Sequence, residues 1–141
     1  MARYLVVANV TLGGDHLLSM LRERVAGGDC HVHLLVPAAP DPASWRAHAH
    51  EDDAARARRR LARGLERFGE LGCEVTGEVG DARPVDAVGD VLGREAPFDE
   101  IIVSTLPPGP SRWLRMDVPR RIERALGVAV THVVAQPEPA G

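Results

Sequence analysis

Apolar residues occur along the chain either in short continuous runs or at helical spacing. Residues 4–10, YLVVANV, form a continuous run rich in β-branched side chains, which is typical of a strand covered on both faces. The run at 73–79 is weaker and partly alternating, as suits the edge of a sheet. Runs of this kind predict five strands, at residues 4–10, 30–36, 73–79, 99–104 and 128–135.

Between these runs the apolar residues recur every three or four positions, which predicts amphipathic helices. In the first helix they are Leu17, Leu21 and Val25, before two glycines. A second, longer helix follows a Pro-Ala loop and begins at acids, which suit the positive end of a helix dipole. Pro84 starts a third helix, and RRIERALG forms the last.

The second helix is predicted to be amphipathic, with an apolar stripe and an arginine stripe on opposite sides. The inward residues are Ala57, Leu61, Leu65, Phe68 and Leu71. The arginines are Arg56, Arg60, Arg63 and Arg67. A charge run of this kind usually lies on a solvated face, so we expect these arginines to face water.

Strict alternation of strands and helices predicts an α/β fold with a parallel sheet and helices on both faces. The 141 residues fit one domain over 1–136, with a solvated tail at 137–141. Five strands favour the order 3-2-1-4-5 of flavodoxin-like folds. In such a sheet ligands bind outside the carboxyl ends of strands one and four, where the order reverses.

Charge and composition narrow the classes of function. A formal charge of −3 offers no basic field for nucleic acid. The chain has no lysine, which excludes a Schiff-base lysine and a phosphate-loop lysine. The apolar N-terminal run is too short for a signal peptide, and no run approaches the ~18 residues of a membrane span, so we expect a cytoplasmic protein without a membrane partner.

Cysteine and histidine carry little signal of a metal site. Cys30 and Cys73 fit neither a disulfide framework nor a zinc motif, and we interpret them as reduced structural thiols. Each opens a predicted strand, which allows the two to be neighbours in the sheet. His31 and His33 alternate on strand two and therefore share one face, where a structural role is expected. No metal requirement is inferred.

The loop after strand four is rich in proline and polar residues. Pro107, Pro108 and Pro110 have no N–H to donate, so an anion there depends mainly on side chains. Candidate groups are the hydroxyls of Ser104, Thr105 and Ser111, the amide of Gly109, and the guanidinium of Arg112. The alternative is a rigid connector in which Trp113 packs on the edge of the core.

A cluster of arginines surrounds the start of the last helix, where the helix dipole favours anions. Its members are Arg112, Arg115, Arg120, Arg121 and Arg124.

The chain resembles the universal stress protein family over nearly its whole length. The resemblance rests on the apolar first strand, the long second helix, the Gly80-Asp81 turn after strand three and the ending RIERALGVAVTHVVA. It departs from the ATP-binding members, because the loop after strand four lacks their G-x2-G-x9-G-[S/T] pattern. Asn9, or Thr11, also stands where the family has an acid on strand one.

The resemblance implies a five-stranded α/β domain, usually a homodimer, whose nucleotide-binding members hold ATP or a related ligand at the switch point. Many members do not bind ATP. It also places the dimer interface on the last strand, which begins at Val128 and ends at Ala135.

Together these observations predict a stress-response or regulatory module that binds an adenine nucleotide, such as ATP, or another small anion at the switch point. Asn9, Thr11, the backbone near Val36, and Gly80 would surround the base or sugar. The residues expected at the anionic part are Ser104, Thr105, Gly109, Ser111 and Arg112. No nucleophile–base–acid constellation is visible, so catalysis is not expected. The alternatives are a ligand-free homodimerisation or partner-binding module and a slow nucleotide hydrolase.

Overall fold

Five parallel strands form one sheet in the order 3-2-1-4-5 within the described part of the chain. A computed structural model describes residues 1–26, 28–39, 52–95, 97–107, 113 and 117–135. The strands are β1 (Ala2–Val7), β2 (Cys30–Pro37), β3 (Glu74–Gly80), β4 (Glu100–Thr105) and β5 (Thr131–Val134). The predicted α/β class and strand order are confirmed.

β1 is the centre of the sheet. It pairs with β2 from Ala2 opposite Cys30, and with β4 from Tyr4 opposite Glu100. Val6 and Val7 are both fully buried although they point to opposite faces. The continuous apolar run predicted this environment, since only a strand covered on both faces lacks a polar side.

Helices cover both faces of the sheet. They are α1 (Asp15–Val25), α2 (Asp53–Phe68), α3 (Pro84–Arg94) and α4 (Val118–Leu126), with a 3₁₀ turn at Gly69–Leu71. On one face Leu21 of α1 and Phe68 of α2 pack in the same cluster as Val6. On the other face Val88 of α3 and Ile122 of α4 pack in the cluster that contains Val7. This division follows from right-handed crossovers running in opposite directions from β1.

The ends of two helices follow their predicted signals. Asp52 caps α2, because its carboxylate accepts the Ala55 N–H at 2.6 Å. Gly72 ends the following turn with a φ of 82°, a left-handed conformation that glycine adopts without steric penalty. Pro84 is in the first turn of α3, as predicted. His48, His50 and Glu51, which from the sequence we interpret as a solvated loop and helix start and not as a metal site, lie outside the described residues.

Three strand boundaries differ from the prediction. β1 ends at Val7, because the next residues turn back: the Leu12 N–H bonds the Asn9 carbonyl at 3.2 Å. β5 covers Thr131–Val134 only, and not the whole of 128–135. Gly80 belongs to β3 rather than to the turn after it. A Cβ on Gly80 would lie 2.8 Å from Leu35 Cδ1, so close packing requires this glycine.

A partly buried ion pair connects α1 and β4 at the amino end of the sheet, and a hydroxyl of β5 joins it. Arg24 donates from Nε and from one terminal nitrogen to the two oxygens of Glu100, each at 2.8 Å. Thr131 donates its hydroxyl to the same carboxylate at 2.7 Å. The hydrogen bonds from Arg24, more than those from Thr131, hold the pKa of Glu100 below its ordinary value.

We predict that Glu100→Gln lowers the free energy of unfolding by about 1 kcal/mol at neutral pH. A carboxylate with a lowered folded-state pKa stabilises the protein above its unfolded pKa, about 4.3, and loses that contribution as the pH falls further. The difference between wild type and variant should therefore shrink below that pH. Urea unfolding across the acidic range measures it, with the exposed Glu66→Gln as control. A difference independent of pH would contradict this role of the pair.

Candidate functional site

Two hydroxyl groups meet where the strand order reverses. Thr11, in the turn after β1, and Ser104, near the end of β4, have their side-chain oxygens 2.7 Å apart. Both residues are about 1% exposed. The structure thus brings these two predicted site residues together, and their bond joins β1 to β4 at the switch point.

Asn9 connects three segments of the chain. Its Nδ2 donates to the Pro37 carbonyl at 2.8 Å, at the end of β2. Its Oδ1 accepts a hydrogen bond from Arg60 of α2. The side chain is buried, and both of its polar ends are used by these bonds. A base or sugar would have to displace one of them, so Asn9 organises the turn in this structure.

The arginines of α2 do not form a solvated face, and that prediction was wrong. Arg56 is only 2% exposed and pairs with Asp53. Arg60 reaches Asn9, and Arg67 donates to the Gly13 carbonyl and, at 2.9 Å, to Asp15. Of the four arginines only Arg63 is classed as exposed.

The reason is a close approach between α2 and the turn after β1. Gly64 shares the face of Arg60 and Arg67 on α2. A Cβ on Gly64 would lie 2.7 Å from Leu12 Cδ2, so the absence of a side chain allows the contact. The turn therefore lies under this face, and its carbonyls and carboxylate receive the guanidinium groups. A glycine within an arginine stripe was the sequence signal that could have indicated this contact.

The other predicted residues have separate partners. Thr105 Oγ1 lies 2.8 Å from His132 Nε2 and joins β4 to β5. Val36 is fully buried in β2. The Gly80 carbonyl accepts the Ala38 N–H at 3.0 Å. Gly109, Ser111 and Arg112 lie outside the described residues.

A cleft of about 820 Å³ opens between the start of α3 and α4. Among the described residues, Arg83, Arg121 and Arg124 line it together with one carboxylate, Asp86. Trp113 also lines the cleft and packs on the core of the same face, so its predicted packing role is confirmed. The remaining lining residues are Ala39, Ala82, Pro84, Val85, Val118 and Ala125.

The described lining of this cleft carries more positive than negative side chains. Arg83 lies 4.0 Å from the Asp86 carboxylate, and the first turn of α3 forms part of the wall. Asp81 fixes the entry into α3 by accepting the Arg83 N–H at 2.8 Å. Sequence reasoning singled out Arg121 and Arg124 but missed Arg83, which belongs to another helix.

A chain of polar side chains crosses β2 and β3 on the α3 side of the sheet. Thr76 Oγ1 lies 2.7 Å from both His31 Nε2 and His33 Nδ1, and His33 Nε2 lies 2.8 Å from Glu78. Arg94 donates to the other oxygen of Glu78. The shared face of the two histidines is confirmed.

The direction of one of these bonds follows from the chemistry of the groups. A carboxylate only accepts, so His33 donates from Nε2 to Glu78. His33 thus lies between a carboxylate and a hydroxyl. These groups come from two strands, so no local motif in the sequence indicates that they meet.

Within the described residues, no three histidine, cysteine or acidic residues are grouped so as to hold a metal ion. None of the helices over those same residues has the length and apolar character needed to cross a membrane.

Comparison with solved structures shows a distant likeness. A solved structure, a domain of a functionally unknown protein from Methanocaldococcus jannaschii DSM 2661, has 15% sequence identity and a TM-score of 0.46, over 99% of this chain and 97% of that chain. No protein-family model matches the sequence. No curated protein matches it either. Membership of the universal stress protein family stays a prediction.

We predict that Thr11 and Ser104 are energetically coupled. Thr11→Val should lower the free energy of unfolding by about 1–3 kcal/mol, because it leaves the buried Ser104 hydroxyl without its partner. The double variant with Ser104→Ala should lose about 1 kcal/mol less than the sum of the single losses. Denaturant unfolding measures all four proteins.

A control pair separates coupling from general damage. Thr76→Val removes a hydroxyl that bonds His33 and contacts neither Thr11 nor Ser104. The loss of unfolding free energy in the double variant Thr11→Val with Thr76→Val should therefore equal the sum of the single losses within about 0.5 kcal/mol. Simple additivity in the Thr11–Ser104 cycle as well would show that the bond contributes nothing at the switch point.

Proposed function

We propose that this protein is a cytoplasmic regulatory module of the universal stress type that binds an adenine nucleotide or another small anion at the carboxyl edge of its sheet. The observation that carries the proposal is the cleft between α3 and α4, where Arg83, Arg121 and Arg124 lie around an apolar wall. Guanidinium groups bind phosphate and carboxylate through paired hydrogen bonds.

The size and lining of the cleft suit a nucleotide. Its volume of about 820 Å³ falls in the range of small-molecule sites, roughly 300–1,000 Å³. Trp113 offers an aromatic face for a base, and Pro84 and Val118 offer apolar contacts. Arg121 and Arg124 would then hold the phosphates. The predicted Gly109, Ser111 and Arg112 precede Trp113 in the sequence.

The polar groups at the switch point support the site indirectly. The Thr11–Ser104 and Asn9–Pro37 bonds hold the ends of β1, β2 and β4 together. The walls of the cleft begin at strands β3 and β4, which lie on either side of this joint. In this proposal the hydroxyls set the positions of the loops, and the arginines bind the anion.

We predict that Arg121→Gln weakens binding of the nucleotide at least about tenfold, because one charged hydrogen bond contributes roughly 1.5–3 kcal/mol. Calorimetric titration with ATP, ADP, AMP and pyrophosphate measures it and shows whether the base contributes. The matched control is Arg120→Gln, which removes the same charge from the neighbouring exposed position outside the lining of the cleft. An equal loss of affinity in both variants would show only a general effect of charge and would contradict a specific role of Arg121. If the wild type binds none of the four compounds, the proposal is overturned.

Homodimerisation through β5 is the second candidate function, and the exposed edge of the sheet favours it. β5 pairs with β4 on one side only, since it is the last strand in the order. Val134 is 44% exposed, which is unusual for a large apolar side chain in this structure. Two such strands related by a twofold axis would cover each other's open edge and bury this valine.

We predict that Val134→Glu weakens self-association at least about tenfold, since two like charges would face each other across the twofold axis. Sedimentation equilibrium of both proteins gives the dissociation constants. Ala62→Glu makes the same change of charge at an exposed position on α2, and should leave association unchanged. A wild-type protein that stays monomeric at high concentration would exclude this function.

A further inference from the structure

Cys30 and Cys73 lie side by side on neighbouring strands. Cys30 is the first residue of β2, and Cys73 directly precedes β3. The parallel register places His31 opposite Glu74, so the two preceding residues, both cysteines, are opposite each other as well. Neighbouring strands are about 4.8 Å apart, which lies within the Cα separations of roughly 4.4–6.8 Å that a disulfide spans.

The two thiols share one environment. Cys30 is buried in the core on the α1 and α2 side, and Cys73 packs against the same cluster while remaining partly exposed. Burial, together with a hydrogen bond to Cys30, raises the pKa of Cys73 to about 11. Such a bond requires the two sulfur atoms to be close. Both cysteines are free thiols in this structure.

We propose that Cys30 and Cys73 form a reversible redox pair, which a small-molecule disulfide such as oxidised glutathione converts into an intramolecular disulfide. This inference does not depend on the proposed function. The disulfide would cross-link β2 to the edge strand β3 at the amino end of the sheet.

The reaction balances in two thiol–disulfide exchanges. The partly exposed Cys73 loses its proton and attacks one sulfur of oxidised glutathione; that S–S bond breaks, and one glutathione leaves and takes up a proton. Cys30 then loses its proton and attacks the Cys73 sulfur, releasing the second glutathione. The cysteines lose two electrons and two protons, and the oxidant becomes two thiols. The high pKa of Cys73 makes the first step slow at neutral pH.

The disulfide should stabilise the protein without changing the structure of the cleft. It closes a loop of about 40 residues that contains β2 and α2, and this restricts the unfolded chain. The bond would lie at the amino ends of the strands, whereas the cleft lies where the chain enters α3 and α4, at the carboxyl ends. We therefore expect a melting temperature higher by about 5–10 °C, with unchanged binding.

The experiment treats the folded wild-type chain with oxidised glutathione at mildly alkaline pH and follows its intact mass. The expected result is the loss of two hydrogens, no remaining reactive thiol, a single peptide linking Cys30 to Cys73 after digestion, and full reversal by a dithiol reductant. Peptide mapping identifies the bond in the wild type, so this result does not depend on how well any variant folds.

Single variants test the order of the steps. In Cys30→Ala the reaction should stop at the mixed disulfide of Cys73 with one glutathione, because the second thiol, which would displace that glutathione, is absent. Cys73→Ala should resist the oxidant, because Cys30 is 4% exposed. A wild-type protein that keeps a glutathione adduct, forms only intermolecular disulfides or retains both thiols would overturn the proposal.

Discussion

The pairing of β1 with both β2 and β4 is the constraint on which the rest of the structure depends. Because β1 is hydrogen-bonded at both edges and covered on both faces, its second half, Leu5 to Val7, is removed from water. The crossovers run outward from β1 to β3 and then back across the sheet to β4 and β5, so α1 and α2 cover one face and α3 and α4 the other. Polar residues directly after the carboxyl end of β1, Asn9 and Thr11, are therefore buried.

Buried polar groups need partners, and the turn after β1 finds them in distant segments. Thr11 bonds Ser104 of β4, and Asn9 bonds both the end of β2 and Arg60 of α2. A small residue, Gly64, allows α2 to come close enough for this. The polar atoms of this region are bonded to one another, and the open cleft with its arginines lies on the α3 and α4 side.

The proline-rich segment after β4 and the cleft fit one physical interpretation. Proline has no amide hydrogen to offer an anion, so in the proposed site side chains would replace the main-chain donors of a glycine-type loop. In that proposal the donors are Arg83, which directly precedes α3, and Arg121 and Arg124 of α4. The polar chain through His33 lies elsewhere, on β2 and β3, and its members are bonded to one another rather than to the cleft.

Sequence alone determined the α/β class, the strand order, the approximate helices and the shared face of His31 and His33. The helices and the shared face follow from local spacing, since a period of two or of 3.6 residues assigns each side chain to a face. The strand order follows from the arrangement that five alternating strands favour. Tertiary structure decided which side chains meet, Arg60 with Asn9 and His33 with Thr76 and Glu78, and it placed Arg83 and Arg121 at one cleft. Such contacts join residues far apart in the chain, and they depend on how closely each helix approaches the sheet, which no local period encodes.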